Sequence, residues 1–208
     1  PPENLTPTLD TPQAAKSADW YANLLMKYGP DGLLSYSDDQ AMRSQMSGRA
    51  NIRTQAITWM VPLAKHAEST VRKTVRYGLM PAGPDGNFPG SNSHGLAIPA
   101  GSQKVEAAEK FIAWATSKKY TELVASKEGW DNVPPGTRTS LYNNPEYLKA
   151  APFAKPTIDS INSADPDHPT VKPVPYVGVQ YAAIPEFQGL GTTVGQQFSA
   201  ALAGSMSV

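Results

Sequence analysis

Gly95-Leu96-Ala97-Ile98-Pro99 reads as a short buried strand, and the chain from Ser102 onward reads as an amphipathic helix. Val105, Ala108, Phe111, Ile112 and Ala115 recur at helical spacing and mark its inner side. Before this pair, Thr74 to Met80 reads as another strand, joined to it by a turn-rich loop around Pro84-Asp85-Gly86. Further back, a helix is expected from near Ala56 towards His66, preceded by a short strand over Ala50 to Thr54. Ser37-Asp38-Asp39 opens a helix that carries Met42 and Met46 inward and ends at Gly48. Thr11-Pro12 starts the first helix, a capping hydroxyl followed by proline in the first turn, and Gly29-Pro30 stops it. In the other direction, Ser117 caps a helix through Val124, and Gly129 to Thr139 is a Pro/Gly loop. Asn144-Pro145 starts a short helix, another lies around Phe153 to Ile161, and a Pro-rich excursion runs from Asp165 to Pro175. The last helix is expected from about Pro185 to Ala203, with Gly204 as its stop. Strands alternating with helices indicate an α/β architecture.

The totals restrict function. Lys plus Arg and Asp plus Glu number 18 each, so the net charge is zero. Nothing suggests the basic face of a nucleic-acid binder. There is no cysteine, which removes disulfides, thiol catalysis and zinc-thiolate sites and suits an oxidising compartment. No run of 18 apolar residues is present, and no signal peptide. A start at Pro1-Pro2 reads as a cut end. The chain has few strands for its 208 residues, so part of the sheet is expected to belong to chain outside it.

Catalytic chemistry finds little support. His66, His94 and His168 sit in no nucleophile motif and at no metal-ligand spacing. Asp38-Asp39 is better explained as a pair of acids in a helix's first turn than as a catalytic pair. Gly83-Pro84-Asp85-Gly86 is a turn, because its proline removes an amide donor that a phosphate would need. Neither a cofactor nor a metal is expected. A binding site for a polyhydroxylated molecule asks for different groups: amides, guanidinium groups, carboxylates and an aromatic wall. Gln55 lies between strand and helix, with Thr58 and Trp59 one turn on; His94 precedes the Gly95 strand; Arg138 lies in the Pro/Gly loop. A helix cap for Gln55, a core ring for Trp59 and a loop brace for Arg138 are the competing readings.

Three strings resemble family 1 extracellular solute-binding proteins: Gly48-Arg49-Ala50, Met80-Pro81-Ala82-Gly83-Pro84 leading to Gly95–Pro99, and Ala107 through Ser117 with its Phe-Ile-Ala-Trp-Ala-Thr-Ser ending. Gly129-Trp130 with Val133-Pro134-Pro135-Gly136-Thr137-Arg138-Thr139-Ser140 is similar to the polyol-binding, mannitol/sorbitol branch of that family. So is Pro175-Tyr176-Val177-Gly178-Val179-Gln180-Tyr181, with Ile184-Pro185-Glu186-Phe187-Gln188 after it. Gln55 and His94 depart from that branch, where Asp and an aromatic are usual.

The resemblance implies a type II periplasmic-binding-protein fold of two α/β lobes, here partial: mostly C-terminal lobe plus a segment of the N-terminal lobe. It places residues 1–93 in the C-terminal lobe, 94–143 in a crossing to the N-terminal lobe, and 144–208 back in the C-terminal lobe. It implies the substrate-binding component of an ABC importer, not an enzyme. Such a component captures a linear sugar alcohol or related sugar between its lobes and delivers it to membrane permease subunits. A monomer is expected, in the periplasm or tethered outside the cell as a lipoprotein, with no nucleic-acid partner. Gln55, Thr58, Trp59, His94 and Arg138 are the ligand-binding candidates. A carbohydrate-active enzyme, or an isolated lobe without ligand affinity, are the alternatives.

Overall fold

The computed structural model describes residues 8–55, 59, 61–90, 94–136, 138–174, 177–178 and 182–208. Its helices begin where the sequence places capping groups. Thr11 accepts from the Ala14 amide and Pro12 opens helix α1 (Pro12–Tyr28). Ser37 and Gln40 form a reciprocal capping box on α2 (Asp38–Met46), satisfying two amide donors that a helix start leaves open. Helix α3 is short (Val61–Lys65). Helix α4 (Val105–Ala115) ends where Ser117 Oγ donates to the Trp114 carbonyl at 2.6 Å. The same oxygen accepts from the Tyr120 amide and starts α5 (Lys118–Glu128), so one side chain ends one helix and begins the next. A 3-10 turn over Trp130–Asn132 follows. Three helices come next, α6 (Thr139–Tyr142), α7 (Pro145–Ala150) and α8 (Ala154–Ser163), with Asn144 Oδ1 capping α7. Helix α9 (Phe187–Leu202) ends before Gly204, whose φ of 72° gives the left-handed stop expected there.

The expected strands are corrected. Among the described residues, the only β pairing is an isolated antiparallel bridge between Gly83 and Gly86. Ala50–Thr54, Thr74–Met80 and Gly95–Pro99 form no ladder, and Ile52 and Leu96 are exposed. A strand is completed by a neighbouring strand, and local propensity cannot supply that neighbour. The inner side of α4 is corrected as well: none of its residues is buried, and Val105 and Phe111 are exposed. The apolar stripe is there, but no described part of this chain covers it.

The chain divides into two compact units. One comprises Pro1–Arg53, Ala67–Val71 and Pro166–Val208. In it α1 packs on α9, with Tyr21 stacked on Phe198 at 6.0 Å between centroids. Thr70 donates both its amide and its hydroxyl to the Met46 carbonyl, closing the end of α2. Arg53 folds back to Asp38 at 3.5 Å.

The other unit comprises Thr54–His66 and Arg72–Asp165. Its core gathers Val133, Leu141, Tyr142, Tyr147, Ala151, Phe153 and Ala154, with Val61, Tyr77, Val124 and Trp130 packed around them. Tyr147 and Phe153 are the largest fully buried side chains. Tyr147 meets Tyr142 edge-on, and Phe153 meets Tyr77 edge-on. Burial pushes the Tyr77 phenol up to about 12, while a backbone hydrogen bond at Ala64 acts in the opposite direction. Burial also raises Tyr147, with the nearby Tyr142 adding to the effect, and it raises Tyr142 itself.

The two neighbouring tyrosines differ in one respect. Tyr142 donates to the Gly136 carbonyl at 2.8 Å, whereas the Tyr147 hydroxyl has no partner among the described residues. Tyr142→Phe is therefore expected to cost about 1 kcal/mol in urea unfolding, the net value of an ordinary hydrogen bond. Tyr147→Phe is expected to be neutral or stabilising, because it removes a buried hydroxyl with no partner among the described residues. Equal losses for the two variants would contradict this account of the core.

Candidate functional site

Above this core lies a cavity of about 910 Å3, in the size range of small-molecule sites. Its wall begins at the α4–α5 corner with Thr116, Tyr120 and Thr121. It continues through Trp130, passes along Pro134 and Gly136 to Arg138, and closes at Ser140 and Asn144. The break between α4 and α5 puts the Thr116 carbonyl at a corner. Arg138 Nε donates to that oxygen at 2.7 Å. The bond leaves the terminal guanidinium nitrogens as a planar pair of donors on a side chain whose base is held. The loop before Arg138 is held independently, through the bond from Tyr142 to the Gly136 carbonyl.

Trp130 reaches the wall through a specific backbone turn. Gly129 ends α5 with φ 91° and ψ 154°, a region closed to side chains with a Cβ. A Cβ on Gly129 would lie 2.8 Å from Asp131 Oδ1. Asn132 Nδ2 donates to the Glu128 carbonyl at 2.6 Å and ties the turn to the end of α5. Asp131 pairs with Lys65 of α3 at 2.6 Å. Tyr120, whose ring meets Trp114 edge-on at 4.9 Å, supplies a second aromatic surface. The lining thus combines two aromatic rings, the Arg138 guanidinium fork, several hydroxyls, one carboxamide, and the oppositely charged side chains of Lys118 and Glu122. That set offers apolar faces and both donors and acceptors, which matches an uncharged molecule rich in hydroxyls. No cluster of metal-ligating side chains occurs among the described residues.

Of the candidates read from sequence, Arg138 lines the cavity. Its bond to Thr116 also makes it a brace, which is compatible with a ligand contact through its remaining nitrogens. Gln55, Trp59 and His94 belong to the same compact unit but are not part of this lining. Gln55 and His94 are exposed, and Trp59 is 51% exposed, which removes its reading as a core ring. Thr58 lies outside the described residues. Sequence reasoning passed over Trp130, Tyr120 and Asn144. Trp130 sat in a quoted string, but nothing local told a wall from a core ring. Asn144 was read only as a cap, and it performs that role too, accepting from the Glu146 and Tyr147 amides.

Comparison with known proteins adds a separate line of argument. Residues 3–122 match the family described as bacterial extracellular solute-binding protein. A mannitol-binding protein of Pseudomonas aeruginosa is 44% identical over 193 residues, 92% of this chain and 44% of that protein. A crystal structure of an ABC transporter solute-binding protein from Agrobacterium vitis S4, with bound D-mannitol, superposes with a TM-score of 0.82 at 53% identity. It covers 97% of this chain and 48% of that one. The chain therefore spans about half the length of the relatives it matches.

The turn that presents Trp130 generates a prediction. Gly129→Ala is expected to lower stability by about 1–3 kcal/mol, the cost of a side chain held in a glycine-only backbone region. Denaturant unfolding of the variant checks it. A change within about 0.5 kcal/mol, the level of an ordinary surface substitution, would show that the turn relaxes without strain.

Proposed function

The chain belongs to the bacterial extracellular solute-binding protein family, and we propose that it forms part of the substrate-binding component of an ABC importer for a linear sugar alcohol such as mannitol. Its fold is of the periplasmic-binding-protein type, present here in part. The carrying observation is the Arg138 guanidinium, held through Nε on the Thr116 carbonyl in a cavity with aromatic and hydroxyl-bearing walls. A linear polyol presents a row of vicinal hydroxyls along an apolar carbon edge. The guanidinium fork suits two adjacent oxygens, and an aromatic face suits the C–H edge. Both matched relatives are named or crystallised with mannitol, which supports the same ligand class for this chain.

Gln55, Trp59 and His94 remain in the proposal as ligand contacts outside the lining of the Arg138 cavity, and Thr58 remains a candidate contact with them. Glutamine both donates and accepts, and imidazole adds a hydrogen bond where an indole would offer only stacking area and one donor. We assign residues 1–93 and 144–208 to the C-terminal lobe and 94–143 to a crossing into the N-terminal lobe, with Val133, Leu141 and Tyr142 staying packed on the Tyr147 and Phe153 core so that lobe movement leaves that contact intact. Capture is then reversible and non-covalent. Ligand contacts that form only in the closed state favour closure, and the closed form is the one presented to the permease subunits. The protein works as a monomer outside the cytoplasm, in the periplasm or lipid-anchored at the cell surface. It uses no cofactor and binds no nucleic acid.

Arg138→Ala in the intact protein is expected to weaken mannitol binding at least tenfold in calorimetry, a loss of about 1.4 kcal/mol or more. Retained affinity would remove Arg138 from the site. Spectroscopic labels placed in 1–93 and in 94–143 are expected to change separation when mannitol is added. A constant separation would remove the lobe assignment.

A further inference from the structure

Lys65 and Asp131 form an ion pair unlike the helix-surface pairs of this chain. Lys110–Glu106 and Lys155–Asp159 each join residues four apart on one helix, and Lys110 and Glu106 are 76% and 83% exposed. Lys65 and Asp131 come from distant parts of the sequence, meet at 2.6 Å, and are 20% and 38% exposed. Sheltering reduces the solvent screening that makes surface pairs weak.

Both ends of the pair are anchored. Lys65 ends α3, which is fixed by fully buried Leu63 and by Val61 packed on the core. Asp131 is the middle residue of the 3-10 turn that carries Trp130. On its own side that turn is held by the Gly129 conformation and by the Asn132 bond to Glu128. Those two restraints attach the turn to α5, and the packing of Trp130 and buried Val133 on the core holds it from a second side. The ion pair attaches it to a separate element, and so limits how the turn can roll about the end of α5. The roll of the turn sets where the neighbouring Trp130 ring lies in the cavity wall.

We propose that Lys65 and Asp131 are positioning residues for the sugar-alcohol site, their ion pair holding the Trp130 ring in the cavity wall. The proposal rests on the ligand reading above. It also gives α3, which directly follows the segment carrying Gln55 and Trp59, a mechanical connection to the Arg138 cavity.

The test uses the intact protein labelled with 5-fluorotryptophan, the Trp130 resonance being assigned by its loss in Trp130→Phe. Lys65→Met and Asp131→Asn should each shift or broaden the Trp130 resonance and weaken mannitol binding roughly tenfold. The exchanged pair, Lys65→Asp with Asp131→Lys, should restore both the resonance and most of the affinity. Lys110→Met, which breaks an exposed pair far from the turn in sequence, should change neither. An unmoved Trp130 resonance in the single variants, with only the unfolding midpoint lowered, would make the pair a plain stabilising contact and overturn the proposal. A moved resonance with unchanged mannitol affinity would overturn it too, because the ring would then not serve the ligand. If the unaltered protein binds no mannitol, the ligand reading fails and the site proposal with it. The fluorine spectra would then still report whether the pair positions the ring.

Discussion

The burial of Tyr147 and Phe153 is the constraint from which the described site follows. These rings are fully enclosed, and α6, α7 and α8 have few ways to pack around them. All three helices are ten residues long or shorter, too short to persist alone in water. Their persistence comes from the apolar area they remove from solvent together. Leu141 and Tyr142 belong to that core, and the same short helix presents Ser140 to the cavity on its other side. The Tyr142 hydroxyl then reaches the Gly136 carbonyl and fixes the loop leading to Arg138. Core and cavity wall are two faces of one set of residues.

Binding geometry in this unit is built by using single groups twice. Ser117 ends α4 and starts α5, and the corner it makes leaves the Thr116 carbonyl available to Arg138. Asn144 caps α7 and lines the cavity. Arg138 braces a loop with Nε and offers its remaining nitrogens as donors. A long side chain held at its base loses less freedom when it meets a ligand, so less of the interaction is offset by ordering. Loop bracing and the proposed ligand contact are therefore compatible for this arginine.

Exposed apolar surface belongs to the same description. Val105, Phe111 and Trp114 on α4 and Trp20 and Met26 on α1 are exposed, although the surrounding sequence has the periodicity of packed helices. The relatives matched here are about twice as long. Helical periodicity declares that a face is to be covered, and it carries no information about what covers it.

Read alone, the sequence determined the helix boundaries wherever a short-range interaction sets them. Thr11-Pro12, Ser37, Ser117, Asn144-Pro145 and Gly204 act through bonds or backbone preferences within a few residues. It also brought out Arg138, as a guanidinium in a loop rich in fixed backbone. Pairing of Ala50–Thr54, Thr74–Met80 and Gly95–Pro99 was beyond it, since a ladder depends on a partner distant in sequence. Only the tertiary structure decided that Trp130 and Tyr120 share a wall with Arg138, and that Lys65 reaches Asp131. Contacts of that kind are set by how the helices pack on Tyr147 and Phe153, and no local pattern encodes them.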